Sequence, residues 1–123
     1  MTAVNKDVDL LRKLPIFDEL SLDELRALHG IGERVMHAPG DVLIEQDREA
    51  AHMFVVLGGT VVVSTSEGGR SRVLAELGFG APLGEMALVD SGPTSARVAA
   101  KTEVLAFRWP MERLRQHLAG NDR

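Results

Sequence analysis

The first thirty residues carry hydrophobic positions at the spacing of amphipathic helices. A first helix is predicted from about Asp7, and Pro15 ends its pattern of apolar residues, which are Val8, Leu10, Leu11 and Leu14. A second short helix is predicted to begin at Ser21, because Ser21 and Glu24 have the spacing of a capping box. Gly30 is a natural C-cap for this helix, whose predicted apolar face consists of Leu22, Leu25 and Leu28. Both helices are expected to pack onto a neighbouring sheet.

From residue 33 to residue 108 the pattern changes to short apolar runs separated by turns rich in glycine. Such runs predict strands, which we expect at residues 34–37, 42–44, 53–57, 60–65, 72–77, 96–100 and 104–107. A parallel α/β sheet would need helices of about ten residues or more between its strands, and the sequence predicts none there. The predicted fold class is therefore mainly β, an antiparallel β-roll that resembles a jelly-roll barrel.

A final helix is predicted over residues 110–118. Pro110 suits the first helical position, and the apolar face consists of Met111, Leu114 and Leu118. We therefore expect a single domain over residues 1–123, with N-terminal helices at about 7–30, the β-roll at about 33–108 and the C-terminal helix last.

Composition and charge exclude several classes of protein. Cysteine is absent, which excludes disulfides, iron–sulfur clusters and thiolate zinc sites. No apolar run approaches the roughly 18 residues of a membrane-spanning helix. The formal net charge of −4 disfavours a general nucleic-acid binder, which needs a basic patch. We expect a cytoplasmic protein with no membrane partner and no direct nucleic-acid partner.

The residues that could carry chemistry are scattered. The four histidines lack metal-ligand spacing, and no serine has the surroundings of a nucleophile. Because no acid, base and nucleophile fall into one pattern, we expect neither an enzyme nor a metal site, and no resident cofactor.

One segment, residues 77–96, interrupts the rhythm of the strands and is rich in glycine and proline. Residues 84–88 suit one helical turn whose free N–H groups would attract an anion. Gly84 would let a ligand approach the backbone, and Glu85 is an acceptor for ligand hydroxyls. A capped surface loop would show the same spacing, so the pattern alone leaves both interpretations open.

This segment resembles the phosphate-binding cassette of cyclic-nucleotide-binding domains, the family of the cAMP receptor protein and the protein kinase A regulatory subunits. Gly80 matches the first glycine of that cassette, here residues 80–96, and Leu83 replaces a phenylalanine. The other matching positions are Gly84, Glu85, Ala87, Leu88, Pro93, Ser95 and Ala96. The resemblance spans about residues 10–118, and it also includes residues 14–17, 39–43, 57–59 and 100–102.

The resemblance implies a ligand site and the role of each residue in it. Glu85 would accept the ribose hydroxyl of cAMP or cGMP, and the backbone of Gly84, Ala87 and Leu88 would hold the phosphate. The hydroxyls of Thr94 and Ser95 would complete the site. The implied binding residues are Gly84, Glu85, Met86, Ala87, Leu88, Thr94, Ser95 and Ala96, with Arg97 as an open candidate.

One departure from the family weakens the expected binding of cyclic nucleotides. The family places an arginine after the cassette proline, where it pairs with the cyclic phosphate, and this chain has Thr94. Loss of one partner of a buried charged pair costs about 2–5 kcal/mol, or roughly 30-fold to several-thousand-fold in affinity. Arg97 remains open as a substitute, although aligning it with the family arginine adds residues to the loop. Asp47 replaces a usual glycine, and aspartate tolerates the left-handed backbone expected there.

Two functions remain open from the sequence. The first is a regulatory domain that senses a small phosphate ligand and binds cAMP or cGMP weakly. The second is an interaction or dimerisation module that keeps the fold without a nucleotide. The resemblance implies an effector domain of a longer protein, a partner protein or a homodimer as the recipient of the signal. Regulation of transcription would need a helix-turn-helix, which this chain lacks, and the family's second C-terminal helix is also missing.

Overall fold

The computed structural model describes residues 3–88 and 92–121, and it confirms a β-roll with helices at both ends. Helix α1 (Ala3–Arg12), a 3-10 turn (Pro15–Phe17) and helix α2 (Leu22–Gly30) come first. The strands are β1 (Glu33–His37), β2 (Val42–Ile44), β3 (His52–Gly58), β4 (Val61–Glu67), β5 (Arg70–Leu77), β6 (Pro82–Leu83), β7 (Arg97–Ala100) and β8 (Val104–Pro110). The cassette turn (Glu85–Leu88) lies between β6 and β7, and α3 (Met111–Asn121) follows β8. None of the helices in these residues is both long and apolar enough to cross a membrane.

The strands form two four-stranded sheets in which every pair is antiparallel. The first sheet has the order β1-β8-β3-β6, and the second has the order β2-β7-β4-β5. The core consists of two hydrophobic clusters, and strand β3 contributes side chains to both. Met53 and Val55 belong to the cluster that includes the helices, whereas Phe54 and Val56 belong to the cluster between the sheets. Successive side chains of a strand point to opposite faces, so β3 contributes to both cores.

The capping box predicted for α2 is confirmed. The backbone N–H of Glu24 donates to the Ser21 hydroxyl at 3.1 Å, and the N–H of Ser21 donates to the Glu24 carboxylate at 2.8 Å. Leu25 and Leu28 are buried as expected, but Leu22 is 40% exposed. Leu22 lies in the first turn of the helix and does not face the sheet with the other two leucines.

Several boundaries differ from the prediction, and three of them concern the caps and starts of the helices. Helix α1 begins at Ala3, earlier than the predicted start near Asp7. Gly30 is the last residue of α2, and Ile31 is the C-cap. Pro110 ends β8, where it pairs with His52, and α3 begins only at Met111. Sheet pairing therefore takes precedence over the preference of proline for a helix start.

Because α1 begins early, Asp7 lies inside this helix and is 2% exposed. Its carboxylate accepts a hydrogen bond from Arg34 Nε at 3.1 Å, forms an ion pair with Arg34 Nη2 at 2.9 Å, and lies 3.0 Å from His29 Nε2. These contacts join α1 to α2 and to the first strand. Trp109 adds a second connection, since its Nε1 donates to the carbonyl oxygen of Leu28 at 2.8 Å.

Candidate functional site

The cassette begins its turn at Gly84, which packs closely against the start of β3. Gly84 has a φ of 81°, in the left-handed region that glycine tolerates best. A Cβ at this position would lie 2.9 Å from the carbonyl oxygen of His52 and 3.3 Å from Cδ1 of Ile44. The glycine is therefore required by the packing of the cassette on its neighbours, a reason that the sequence alone did not show.

The cassette turn uses one of the N–H groups that the resemblance assigned to a phosphate. Residues Glu85–Leu88 form a 3-10 helix, in which the N–H of Ala87 donates to the carbonyl oxygen of Gly84 at 3.2 Å. Ala87 can therefore offer its N–H to a ligand only by weakening this turn. The backbone of Leu88 ends the turn, and its side chain lies outside the described residues.

A cavity of about 250 Å³ lies between the cassette and strands β2 and β7. This volume is just below the range of about 300–1,000 Å³ that is typical for pockets of small organic ligands. The sequence-predicted residues on its wall are Gly84, Glu85, Met86, Ala87, Thr94, Ser95 and Ala96. The lining residues that sequence reasoning did not propose are Ile44, Gly92, Pro93 and Val98. Ile44 comes from a distant strand, and no local pattern assigns it to the cassette.

Thr94 lines this cavity, but its hydroxyl is committed to the neighbouring loop, residues 45–48. Thr94 Oγ1 donates to the carbonyl oxygen of Glu45 and accepts from the N–H of Arg48 at 3.1 Å. The backbone adds two further bonds, from Thr94 N to Arg48 O at 2.8 Å and from Asp47 N to Thr94 O at 2.9 Å. A hydroxyl has one proton to donate, so Thr94 has none left for a phosphate oxygen.

The same loop confirms one prediction about its backbone. Asp47 has a φ of 60° and is the one non-glycine residue with a positive φ in the described part of the chain. Aspartate therefore takes the left-handed conformation that the family usually gives to a glycine. The turn that carries the partners of Thr94 is preserved.

Arg97, the candidate substitute for the missing arginine, lies outside the cavity wall. It begins β7, and its neighbours Ala96 and Val98 line the cavity. Because consecutive side chains of a strand alternate between faces, Arg97 points away from the cavity. Its guanidinium Nε lies 3.7 Å from the carboxylate of Glu45, and its side chain is 48% exposed.

Glu85 supplies the charge of the cavity wall. Among the described residues, its carboxylate makes neither a hydrogen bond nor an ion pair. Ser95 is exposed on the same wall, and its hydroxyl likewise has no hydrogen bond within the described part of the chain. The wall therefore offers a ligand one anionic acceptor and one neutral hydroxyl.

An adjoining cavity contains two groups that could supply positive charge. Arg48 and His52 line it, and it shares Ile44 and Thr94 with the cassette cavity. Burial lowers the pKa of His52 from its usual value, and the nearby Arg108 lowers it further. The charged form of His52 is therefore disfavoured. Arg48 bonds to Thr94 through its backbone N–H and carbonyl oxygen, and it does not line the cassette cavity.

Arg115 of helix α3 forms a hydrogen bond to the cassette that sequence reasoning missed. Nη2 of Arg115 donates to the carbonyl oxygen of Ala87 at 2.7 Å. Ala87 itself is buried in the same hydrophobic cluster as Met111 and Leu114 of α3. A displacement of the cassette turn would therefore act directly on α3. No sequence signal distinguishes Arg115 from the other basic residues of this helix.

The sequence pattern of the cyclic nucleotide-binding domain family matches residues 34–121. The chain is 34% identical over 96 residues to the cyclic AMP receptor protein of Thermus thermophilus, covering 76% of this chain and 44% of that protein. It spans less than half the length of the curated relatives it matches.

Solved structures share the fold. The regulatory subunit of a cAMP-independent protein kinase A from Trypanosoma cruzi, bound to guanosine, matches with a TM-score of 0.85 at 21% identity. The match covers 94% of this chain and 41% of that one. A triple mutant of the Trypanosoma brucei subunit, bound to cAMP in its A site, matches with a TM-score of 0.84 at 23% identity, covering 94% and 43%. One of its substitutions replaces a threonine with an arginine.

Proposed function

The chain belongs to the cyclic nucleotide-binding domain family, and from this membership we propose that it senses a small organic ligand in the cassette cavity. The observation that carries this proposal is the cavity of about 250 Å³ at the cassette. On its wall lies the Glu85 carboxylate, which has neither a hydrogen bond nor an ion pair among the described residues. A family domain that had lost its ligand would have no need to keep this carboxylate exposed to a cavity. The proposed role is regulatory, as in the relatives named above.

Cyclic nucleotides are proposed to bind weakly, because the cassette supplies no guanidinium to the phosphate. Thr94 takes the arginine position and uses its hydroxyl proton on the carbonyl oxygen of Glu45. Arg97 faces away from the cavity. The loss of a buried charged partner costs about 2–5 kcal/mol, which moves micromolar binding towards the millimolar range.

The names of the relatives support a ligand site that is not restricted to cAMP. One solved relative is described as cAMP-independent and is bound to guanosine, and another binds cAMP after a set of substitutions that includes threonine to arginine. The cavity therefore supports the proposal of a ligand without restricting it to a cyclic nucleotide.

The signal is proposed to leave through α3. A ligand that moves the cassette turn would strain the hydrogen bond between Arg115 and the carbonyl oxygen of Ala87. The recipient is proposed to be an effector domain of a longer protein, a partner protein or a second copy of this chain. The chain's short span relative to its curated relatives agrees with the first of these.

Isothermal titration calorimetry with cAMP and cGMP tests the weakened cassette. The parent is expected to bind in the millimolar range, and Thr94→Arg is expected to bind in the micromolar range through a restored bidentate pair. Thr65→Arg adds the same charge on β4 and is the matched control, expected to bind like the parent.

Micromolar binding by the parent would contradict the reasoning about Thr94. If cyclic nucleotides, nucleosides and other nucleotides all leave the parent unchanged, the sensing role is wrong. The chain would then be an interaction module that keeps the fold, which is the alternative function.

A further inference from the structure

We propose that the cassette cavity takes an uncharged nucleoside in preference to a cyclic nucleotide, with the Glu85 carboxylate accepting hydrogen bonds from the ribose hydroxyls. This inference rests on the proposed sensing function and names the ligand class of the same cavity. Three observations support it: the cavity carries a negative charge, the basic residues nearby do not line the cavity, and its wall is largely apolar.

The cassette contains acidic residues and no basic ones. Residues 80–96 contain no lysine or arginine, and their charged residues are Glu85 and Asp90. A cyclic phosphate in the cavity would bring a second negative charge close to the Glu85 carboxylate. Like charges in a partly enclosed site repel more strongly than in bulk water, because water screens them less. A ligand without a phosphate avoids this repulsion.

The neighbouring elements do not compensate for this charge. Arg97 lies on the opposite face of β7, and Arg115 donates to a carbonyl oxygen of the cassette turn. His52 lines the adjoining cavity and not this one, and burial lowers its pKa, which disfavours its charged form. Arg48 lines the adjoining cavity and does not line the cassette cavity. In the described part of the chain, the cassette cavity therefore has no cation on its wall.

The wall that remains suits a nucleoside. Much of it is apolar and can cover the face of a heterocyclic base: Ile44, Met86, Ala87, Pro93, Ala96 and Val98. Glu85 is acceptor-only when ionised, and its two oxygens can take one proton from each of two hydroxyls. A ribose with free 2′ and 3′ hydroxyls offers two such donors on adjacent carbons, whereas a 3′,5′-cyclic nucleotide retains only the 2′ hydroxyl.

Calorimetric titration of the whole 123-residue chain tests the ligand class directly. Guanosine and adenosine are each expected to bind at least about tenfold more tightly than cGMP and cAMP. The 2′,3′-dideoxy analogues are expected to bind at least about tenfold more weakly than the parent nucleosides, because a hydrogen bond to a charged acceptor is lost.

Glu85→Gln separates the two effects of the carboxylate while keeping its shape. The variant is expected to reduce the preference for guanosine over its dideoxy analogue, because the acceptor has lost its charge. It is also expected to narrow the gap between guanosine and cGMP, because the repulsion has gone. Glu67→Gln makes the same change at the tip of the β4–β5 hairpin, outside the cavity, and is expected to behave as the parent.

The results distinguish this inference from the proposed function. Tighter binding of cyclic nucleotides than of nucleosides would overturn the inference and leave the sensing role intact. A loss of binding in Arg48→Ala or Arg97→Ala would do the same, since a cation would then contribute to the site. Equal affinity for guanosine and its dideoxy analogue would overturn the role of Glu85. The absence of binding by either class would overturn both proposals.

Discussion

Replacing Thr94 with valine removes the hydroxyl that connects the cassette to the 45–48 loop and leaves the shape of the side chain almost unchanged. In the parent, Oγ1 donates to the carbonyl oxygen of Glu45 and accepts from the N–H of Arg48 at 3.1 Å. Thr94→Val deletes both bonds, whereas Thr94→Ser keeps the hydroxyl. The two substitutions therefore separate the effect of the bonds from the effect of the methyl group.

The expected loss of stability follows from these two bonds. A net contribution of about 0.5–1.5 kcal/mol for each gives a total of about 1–3 kcal/mol. The loop is largely exposed, so water replaces part of what is lost. We expect Thr94→Val to lower the free energy of unfolding by about 1–2 kcal/mol, and the thermal midpoint by about 3–8 °C for a domain of this size.

Thermal and urea unfolding, followed by circular dichroism, measure this loss. Thr65→Val on β4 is the matched control, because among the described residues the Thr65 hydroxyl makes no hydrogen bond. A Thr94→Val variant that unfolds like the parent would refute the reasoning, because the hydroxyl would then be free to serve a ligand. Thr94→Ser is expected to remain within about 0.5 kcal/mol of the parent.

Three further predictions concern the frame around the site. Gly84→Ala is expected to lower the free energy of unfolding by about 1–3 kcal/mol in thermal unfolding, because its φ is 81° and an added Cβ would lie 2.9 Å from a carbonyl oxygen. The control Gly30→Ala places its Cβ in open space and is expected not to destabilise the fold. Asp7→Ala is expected to lower the free energy of unfolding by about 2–4 kcal/mol in urea unfolding, because the buried carboxylate that contacts His29 and Arg34 is lost. The control Asp9→Ala, on the exposed face of α1, is expected to lower it by less than about 0.5 kcal/mol. Burial lowers the pKa of His37 below 6.5, so the unfolded chain takes up a proton at a higher pH than the folded chain does. The free energy of unfolding should therefore fall as the pH drops below about 6.5. His37→Gln should make this fall smaller in urea unfolding measured at a series of pH values.

Local patterns in the sequence were sufficient for the fold class. Apolar runs bounded by glycine turns predicted the seven longer strands, because alternation and turn chemistry act over a few residues. The capping box at Ser21 and the left-handed Asp47 depend on local geometry in the same way, and both were predicted. The two-residue strand β6 was missed, because Pro82 and Leu83 carry no periodic signal and become a strand only by pairing with β3.

The cassette motif identified the part of the chain that surrounds the cavity. Residues near one another in sequence, such as Gly84 and Glu85, were placed by the spacing of the motif. The opposite wall was not predictable in this way. Ile44 reaches the cavity because β2 pairs with β7, and this register depends on the packing of the whole second sheet.

The state of the two polar groups that matter most was decided by tertiary structure. The hydroxyl of Thr94 looked available in the sequence, but it is bonded to the backbone of Arg48 and Glu45, which lie 46 and 49 positions earlier in the chain. Arg97 looked able to reach a ligand, but the alternation of β7 turns it to the other face, beside Glu45. A sequence shows which donors and charges a segment carries. Which of them remain free for a ligand depends on the distant groups that folding brings close to them, because most polar groups of a folded protein are hydrogen-bonded to a partner within reach.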